Sequence, residues 1–151
     1  MKLSRTVVCS IAVAAAVAAP AFAGLGADST SVQADLARMK GSLRVSSTAA
    51  FSVHEITTSS GTVVREYVSP DDKVFAVSWH GPFVPDLRQV LAGYYAQFVQ
   101  AASAPHAGGH RHLAITQPGL VVESNGRMRA FYGRAWAPAL LPQNFSVSSI
   151  D

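Results

Sequence analysis

The sequence predicts one α+β domain. We expect an antiparallel sheet of about five to seven strands, packed against one main amphipathic helix, with a short N-terminal helix before it. Apolar and polar residues alternate in several short segments between residues 51 and 134, which is the period of a strand. Residues 87–102 instead carry one apolar stripe at helical spacing. Turn-forming residues separate the alternating segments, which favours hairpins.

Residues 1–23 have the layout of a secretory signal peptide. Lys2 and Arg5 give a positive start, residues 6–19 are apolar, and Ala21-Phe22-Ala23 supplies a cleavage site before Gly24. The alternative is a membrane anchor, but the apolar run is shorter than the roughly 20 residues that a spanning helix needs. We therefore predict a signal peptide over residues 1–23 and a single α+β domain over residues 24–151.

Composition limits the possible partners of the exported chain. The only cysteine, Cys9, lies in the signal peptide, so a disulfide or thiolate site is excluded after cleavage. The net charge of +3 includes Lys2 and Arg5, and the remainder forms no basic cluster. We expect no nucleic-acid partner. No second apolar run is long enough to cross a bilayer, so we expect no membrane span after cleavage.

The elements follow in chain order. Val32, Leu36 and Met39 form one stripe of a short helix over residues 30–40. A meander of three strands should follow, over residues 51–58, 62–68 and 73–79.

The charges choose the register of the first hairpin in this meander. A two-residue loop would place Glu55 opposite Glu66, whereas a three-residue loop places it opposite Arg65. We expect the second register, with Gly61 in a left-handed conformation.

The second half should begin with the main helix, which Asp86 can cap. A strand near residues 112–116 and a hairpin over residues 120–124 and 127–134 should follow. Asn125-Gly126 is the strongest short hairpin signal in the chain and is predicted as its turn. One more short strand is expected near residues 144–148. Several strands are apolar on parts of both faces, so a second helix or a partner should cover the rest.

Three histidines could bind a metal ion. His106, His110 and His112 lie close together in sequence, and three imidazoles can hold zinc or copper with water as the fourth ligand. The alternative is a solvated loop that happens to contain histidine, because no carboxylate lies nearby. The chain carries no cofactor motif, and we predict no cofactor.

Hydrolytic chemistry has weaker candidates. Ser78, His80 and Asp86 suggest a Ser-His-Asp triad, but nothing like G-x-S-x-G accompanies them. A histidine at a strand end and a helix cap explain the same residues. A carboxylate pair could hydrolyse glycosides, although surface ion pairs with Arg65 and Arg129 are the simpler interpretation. The carboxylates concerned are Glu55, Glu66 and Glu123.

Ligand binding has four candidate residues, Trp79, His80, Arg127 and Arg129. Arg127 and Arg129, with Arg134 nearby, could receive a phosphate, a sugar acid or an acidic polymer. Aromatic residues could line a groove for a sugar or a peptide. The alternatives are the solvated face of a hairpin for the arginines and the core for the aromatic side chains.

Several strings in the chain are familiar together. They are GTVVREYVSP at residues 61–70, VFAVSW at 74–79, PDLRQ at 85–89, LVVESNGRMRAF at 120–131 and GRAW at 133–136. The chain resembles the DUF2844 family, small exported proteins of unknown function from Gram-negative bacteria. The resemblance covers nearly all of the exported chain and implies export and a single domain. It implies no activity, substrate or catalytic residue.

We therefore predict a non-enzymatic periplasmic module that binds an envelope protein or a small ligand. One alternative is a small periplasmic hydrolase or metal-dependent enzyme. Another is an accessory protein of a secretion or surface-assembly system. Export to the periplasm is expected, with release from the cell as the other destination.

Overall fold

The computed structural model describes residues 24–104 and 112–151, which form an α+β domain. Its antiparallel sheet has seven strands in the order β1-β2-β3-β4-β7-β6-β5, so the predicted fold class is confirmed. The helices are α1 (Val32–Met39), α2 (Leu87–Leu91) and α3 (Tyr95–Ala102). The strands are β1 (Ser42–Ser47), β2 (Ser52–Thr57), β3 (Val63–Val68), β4 (Val74–Gly81), β5 (His112–Gln117), β6 (Leu120–Arg127) and β7 (Ala130–Trp136).

Two meanders build this sheet. Strands β1 to β4 form the first, β5 to β7 form the second, and β4 pairs with β7 where they meet. The sequence predicted only the last three strands of the first meander. Strand β1 was not predicted, because its sequence, SLRVSS, contains few apolar residues. The crossover from β4 to β5 contains α2 and α3, which pack on one face of the sheet. We call this the helix face, and the opposite one the open face.

The first hairpin has the register that its charges predict. Glu55 lies opposite Arg65 and Ile56 lies opposite Val64. The main-chain N–H of Thr58 donates to the oxygen of Thr62, which closes a three-residue loop. Gly61 in this loop has a φ of +83°, a conformation that glycine adopts without steric cost. The charge argument is confirmed.

The second hairpin turns later than predicted. Asn125 and Gly126 lie inside β6, and Arg127 pairs with Ala130 across a two-residue turn. This register places Val122 opposite Ala135, both fully buried. A β-carbon at Gly126 would lie 2.3 Å from the ring of Phe131, so this glycine provides space for an aromatic ring. Burial along the whole strand outweighs the local turn signal.

The helix face carries the larger core. The predicted helix over residues 87–102 is interrupted at Ala92, whose φ of 45° and ψ of −118° are not helical. Asp86 caps α2 as expected, accepting a hydrogen bond from the N–H of Arg88 at 2.9 Å. The indole of Trp79 packs over Gly133, where a β-carbon would lie 2.3 Å from the ring.

The helix face also buries two acids. Asp35 of α1 and Glu66 of β3 are both fully buried, and the amide of Gln89 on α2 donates to Asp35 Oδ1 at 2.6 Å. Burial raises the pKa of Glu66 well above its ordinary value, and the neighbouring Asp35 raises it further. Burial also raises the pKa of Asp35. The pair therefore retains a proton under conditions where exposed carboxyls are ionised.

Residues 138–151, which we call the tail, cover part of the open face. The ring of Phe145 lies 5.3 Å from that of Phe51 and 4.8 Å from that of Phe75, both in edge-on contact. The tail thus supplies the second cover that the apolar strands require. The strand expected near residues 144–148 is wrong, because Val147–Ser149 form a 3₁₀ turn. No helix in the described ranges is long and apolar enough to span a bilayer.

Candidate ligand-binding face

A row of polar residues crosses the open face, one from each of six neighbouring strands. Successive members lie directly opposite one another in the sheet register, so their side chains share this face. We call it the arginine row. In strand order it consists of Arg44, Glu55, Arg65, Ser78, Arg134 and Glu123.

The two inner arginines of this row hold the tail. Arg65 donates from Nε to Glu55 at 2.8 Å and from Nη1 to the main-chain oxygen of Asp151 at 2.8 Å. Arg134 donates from Nε to Glu123 at 2.7 Å and from Nη1 to the main-chain oxygen of Val147 at 3.1 Å. A guanidinium can make both contacts because its donors form a rigid planar fork.

Ser78 and Tyr67 complete the attachment of the tail. Ser78 Oγ donates to the main-chain oxygen of Asp151 at 2.6 Å. The Tyr67 hydroxyl accepts from the N–H of Asp151 at 3.1 Å and lies 3.1 Å from its Oδ1. Burial raises the pKa of the Tyr67 hydroxyl, which keeps it protonated for these contacts.

A second row lies on the same face, two residues further along the strands. His80 of β4 is opposite Tyr132 of β7, Tyr132 is opposite Asn125 of β6, and Asn125 is opposite His112 of β5. We call it the histidine row. His112 Nδ1 forms a hydrogen bond with Asn125 Oδ1. The two histidines are three strand spacings apart, about 14 Å, which is too far to share one metal ion.

Two cavities meet along the histidine row. One, of about 390 Å³, includes His80, Asn125, Tyr132 and Arg134 in its lining. The other, of about 500 Å³, is lined by His112, Asn125, Tyr132 and Arg127 among others. Asn125 and Tyr132 border both cavities, so the two adjoin in one depression of the open face, where Tyr132 is 57% exposed. We refer to it as the groove.

Several residues predicted as ligand-binding lie at this groove. His80 and Arg127 line it. Trp79 also borders the smaller cavity, but its side chain is 98% buried and belongs to the core of the helix face. Arg129 occupies the turn after β6 with a φ of 64°.

Of the predicted metal ligands, His112 lies at the groove. His106 and His110 lie outside the described residues, so the metal site stays a prediction. Among residues 24–104 and 112–151, no cluster of three or more histidine, cysteine or acidic side chains could hold a metal ion.

The hydrolase candidates are engaged in other contacts. Ser78 donates to Asp151, and Asp86 caps α2. Glu55 and Glu123 form ion pairs on the open face, as the simpler interpretation expects, although the partner of Glu123 is Arg134 and not Arg129. Glu66 instead lies buried on the helix face.

Sequence reasoning missed Asn125 as a groove residue, and it included Tyr132 only among the aromatic residues that could line a groove. Asn125 was assigned to a turn, which removed it from the sheet. A turn placed at residues 128 and 129 would have paired Asn125 with Tyr132 and shown that both face the same side. The buried Asp35 gave no sequence signal, because a single acid on a short helix is common.

A family model matches residues 21–150 of the chain. The chain belongs to the DUF2844 family. The description of this family is a protein of unknown function, so membership assigns no activity to the groove. No curated protein and no solved structure matches the chain. In this DUF2844 protein, the cavities of the open face are the candidate binding site.

Proposed function

We propose that this DUF2844 protein is a non-enzymatic, exported module that binds a small polar ligand in the periplasm. The groove carries the proposal, because an exposed tyrosine ring lies there between hydrogen-bonding side chains from three other strands. Binding sites typically combine an apolar surface with a few placed polar groups. In this protein, the apolar surface and the polar groups are both carried by strands of the sheet, which hold them in fixed positions.

A sugar acid is the ligand class that fits this lining best. The apolar face of a sugar ring can lie against Tyr132, while Asn125 and His80 offer hydrogen bonds to hydroxyl groups. Arg127 is the one permanently charged side chain among the described residues that line the larger cavity. A carboxylate on the ligand would pair with this guanidinium.

The residues with catalytic potential support binding over hydrolysis. The hydroxyl of Ser78 is committed to Asp151, and Glu123 is paired with Arg134 at 2.7 Å. An activated nucleophile needs an adjacent base, and the Ser78 proton is directed to a main-chain oxygen instead. Both groups therefore contribute to the shape of the groove.

Binding can be measured with glucuronate as the probe and glucose as its uncharged match. The proposal expects the exported chain to bind glucuronate more tightly than glucose, with Tyr132→Ala weakening binding by about tenfold. Phe83→Ala is the matched control, since Phe83 is a similarly exposed aromatic residue outside the groove lining. Equal binding by the Tyr132 variant, or no preference for the acid, would overturn the sugar-acid assignment.

Native mass spectrometry of the chain purified from its own host, without chelator, tests export and cargo together. Cleavage before Gly24 and a retained small molecule are expected. An uncut chain would contradict export. A bound metal ion would favour the metal-dependent alternative, and replacement of His112 by alanine would be the next variant to measure.

A further inference from the structure

Among the residues that the structure describes, strand β1 forms an uncovered edge of the sheet. It stands at the end of the strand order, and five of its six residues are exposed. In an edge strand, alternate N–H and C=O groups point away from the neighbouring strand. The outer side of β1 therefore offers main-chain hydrogen bonds to another strand.

Strand β1 has only one of the usual protections of an edge strand, the charge of Arg44. Proteins block such edges with charged side chains (lysine above all), proline, bulges or very short strands. Residues 42–47 contain neither lysine nor proline, and all six pair with β2 without a bulge. Val45 is 51% exposed on this strand. The edge is therefore regular and open to pairing.

The arginine row ends at this edge on an unbalanced positive charge. Arg44 lies opposite Glu55, but the Glu55 carboxylate is 2.8 Å from Arg65 Nε. In the part of the chain that the structure describes, no carboxylate lies within 4 Å of the Arg44 guanidinium. A carboxylate on an added strand would continue the alternation of charge along the row.

A cavity of about 350 Å³ lies beside the same edge. Arg44 and Ser46 of β1 line its outer side, and Phe51, Val53 and Tyr67 are among the other lining residues. Side chains of a strand added outside β1 would stand next to Arg44 and Ser46, at the rim of this cavity. The edge thus combines main-chain pairing with a place for alternate side chains.

We propose that β1 is a strand-addition site for an extended acidic segment of a partner protein. The partner's main chain pairs with the outer edge of β1, and one of its carboxylates binds Arg44. In this mode of peptide recognition, main-chain hydrogen bonds supply affinity and pockets for alternate side chains supply specificity. The site goes beyond the proposed function, because β1 and the groove lie towards opposite edges of the sheet.

A second copy of this chain fits the edge less well. Antiparallel pairing of two β1 strands about Arg44 would place two guanidinium groups face to face. Pairing about Val45 would place Arg44 opposite Ser46 of the other copy and leave it without a carboxylate. A segment that carries aspartate or glutamate satisfies Arg44 in a way that β1 itself does not.

Selection from a library of short random peptides, with the full exported chain as bait, tests this proposal. We expect aspartate or glutamate to be enriched at one position of the selected peptides. Arg44→Glu should bind these peptides about tenfold more weakly and should select lysine or arginine at that position. Arg88→Glu, at an exposed arginine on α2, is the matched control and should leave peptide binding unchanged.

Hydrogen exchange locates the bound peptide. A selected peptide should slow exchange at alternate amides of residues 42–47 and leave those of β5 unchanged. Arg44→Gln provides a second variant should the charge reversal disturb the fold. The proposal is overturned if no peptide is enriched, if the protection appears elsewhere, or if binding is insensitive to Arg44. Protection of β1 in the free chain, with a dimer mass, would identify a second copy as the occupant instead.

Discussion

Arg65 and Arg134 occupy matching positions on either side of Ser78. Each donates from Nε to a glutamate on the next strand outward, and from Nη1 to a main-chain oxygen of the tail. These contacts orient both guanidinium groups towards the tail. The arginines therefore connect the centre of the sheet to its cover, and the tail in turn forms one wall of the groove through Ile150.

Arg134→Ala should lower the free energy of unfolding by about 1–3 kcal/mol. The ion pair with Glu123 is partly exposed to solvent, so it contributes little by itself. Most of the loss comes from the main-chain oxygens of Val147 and Ile150, which lose a charged donor, and from the contact between the guanidinium and Trp136 at 5.5 Å. Urea unfolding, followed by tryptophan fluorescence, measures the change.

Arg134→Lys separates charge from geometry, since it retains the charge but cannot make the planar set of contacts. It should recover only part of the lost stability. Arg127→Ala is the control for loss of an exposed arginine, and should change the free energy of unfolding by less than about 0.5 kcal/mol. Equal effects of the alanine substitutions at Arg134 and Arg127 would show that the tail contacts do not stabilise the fold.

Glu66→Gln should stabilise the protein, and more so as the pH rises. Burial and Asp35 raise the pKa of Glu66 in the folded state. Above the ordinary pKa of a glutamate, about 4.3, the unfolded chain releases a proton that the folded chain retains. The free energy of unfolding therefore falls with rising pH until the folded-state pKa is passed. Glutamine has nearly the same shape and no proton to lose.

The measurement is the free energy of unfolding of both chains between pH 4 and pH 8, with Asp71→Asn as the control at an exposed carboxylate. Two other ionisable groups lie near the Asp35–Glu66 pair and also affect its electrostatics. His54 lies opposite Glu66 with its pKa lowered by burial, and Arg38 favours the ionised form of Asp35. A constant difference between the Glu66 variant and the parent chain across this range would contradict the buried proton.

The two hairpins show what local sequence can and cannot predict. In the first, Glu55, Glu66 and Arg65 all lie within one hairpin. The cross-strand charge interaction that selects the register can therefore be read from this short sequence. In the second, the local Asn125-Gly126 signal competes with burial along the whole of β6, and burial decides. The sequence of the hairpin alone does not show how much apolar surface the whole of β6 buries, since this burial also depends on the pairing of β7 with β4.

The groove depends on still longer connections. His80 and His112 belong to different meanders, and they share a row only because β4 pairs with β7. His80 was predicted as a ligand-binding residue and His112 as a metal ligand, each from its imidazole. No spacing in the sequence places these two residues on one face of the sheet. The cover of the open face was expected as a helix or a partner, because the apolar residues of the tail have no regular spacing that predicts packing.

Gly133→Ala should destabilise the protein by about 1–3 kcal/mol. The new β-carbon would lie 2.3 Å from the Trp79 ring and 2.8 Å from the main-chain oxygen of Glu123, so ring and strand must shift. Gly93→Ala is the matched control, because its β-carbon would meet nothing within 4 Å. Thermal unfolding should show a lower midpoint for the first variant alone. A similar midpoint for both would contradict the close packing of Trp79 on β7.

Arg129→Gly tests where the second hairpin turns. Arg129 has a φ of 64°, which is costly for a residue with a β-carbon, so glycine should raise the free energy of unfolding by about 0.5–1 kcal/mol. Met128→Gly, at the neighbouring turn position without a positive φ, is the matched control and should lower it by a similar amount. If the chain instead turned at Asn125-Gly126, Arg129 would lie within a strand. Glycine would then weaken that strand, so destabilisation by Arg129→Gly in urea unfolding would overturn the observed register.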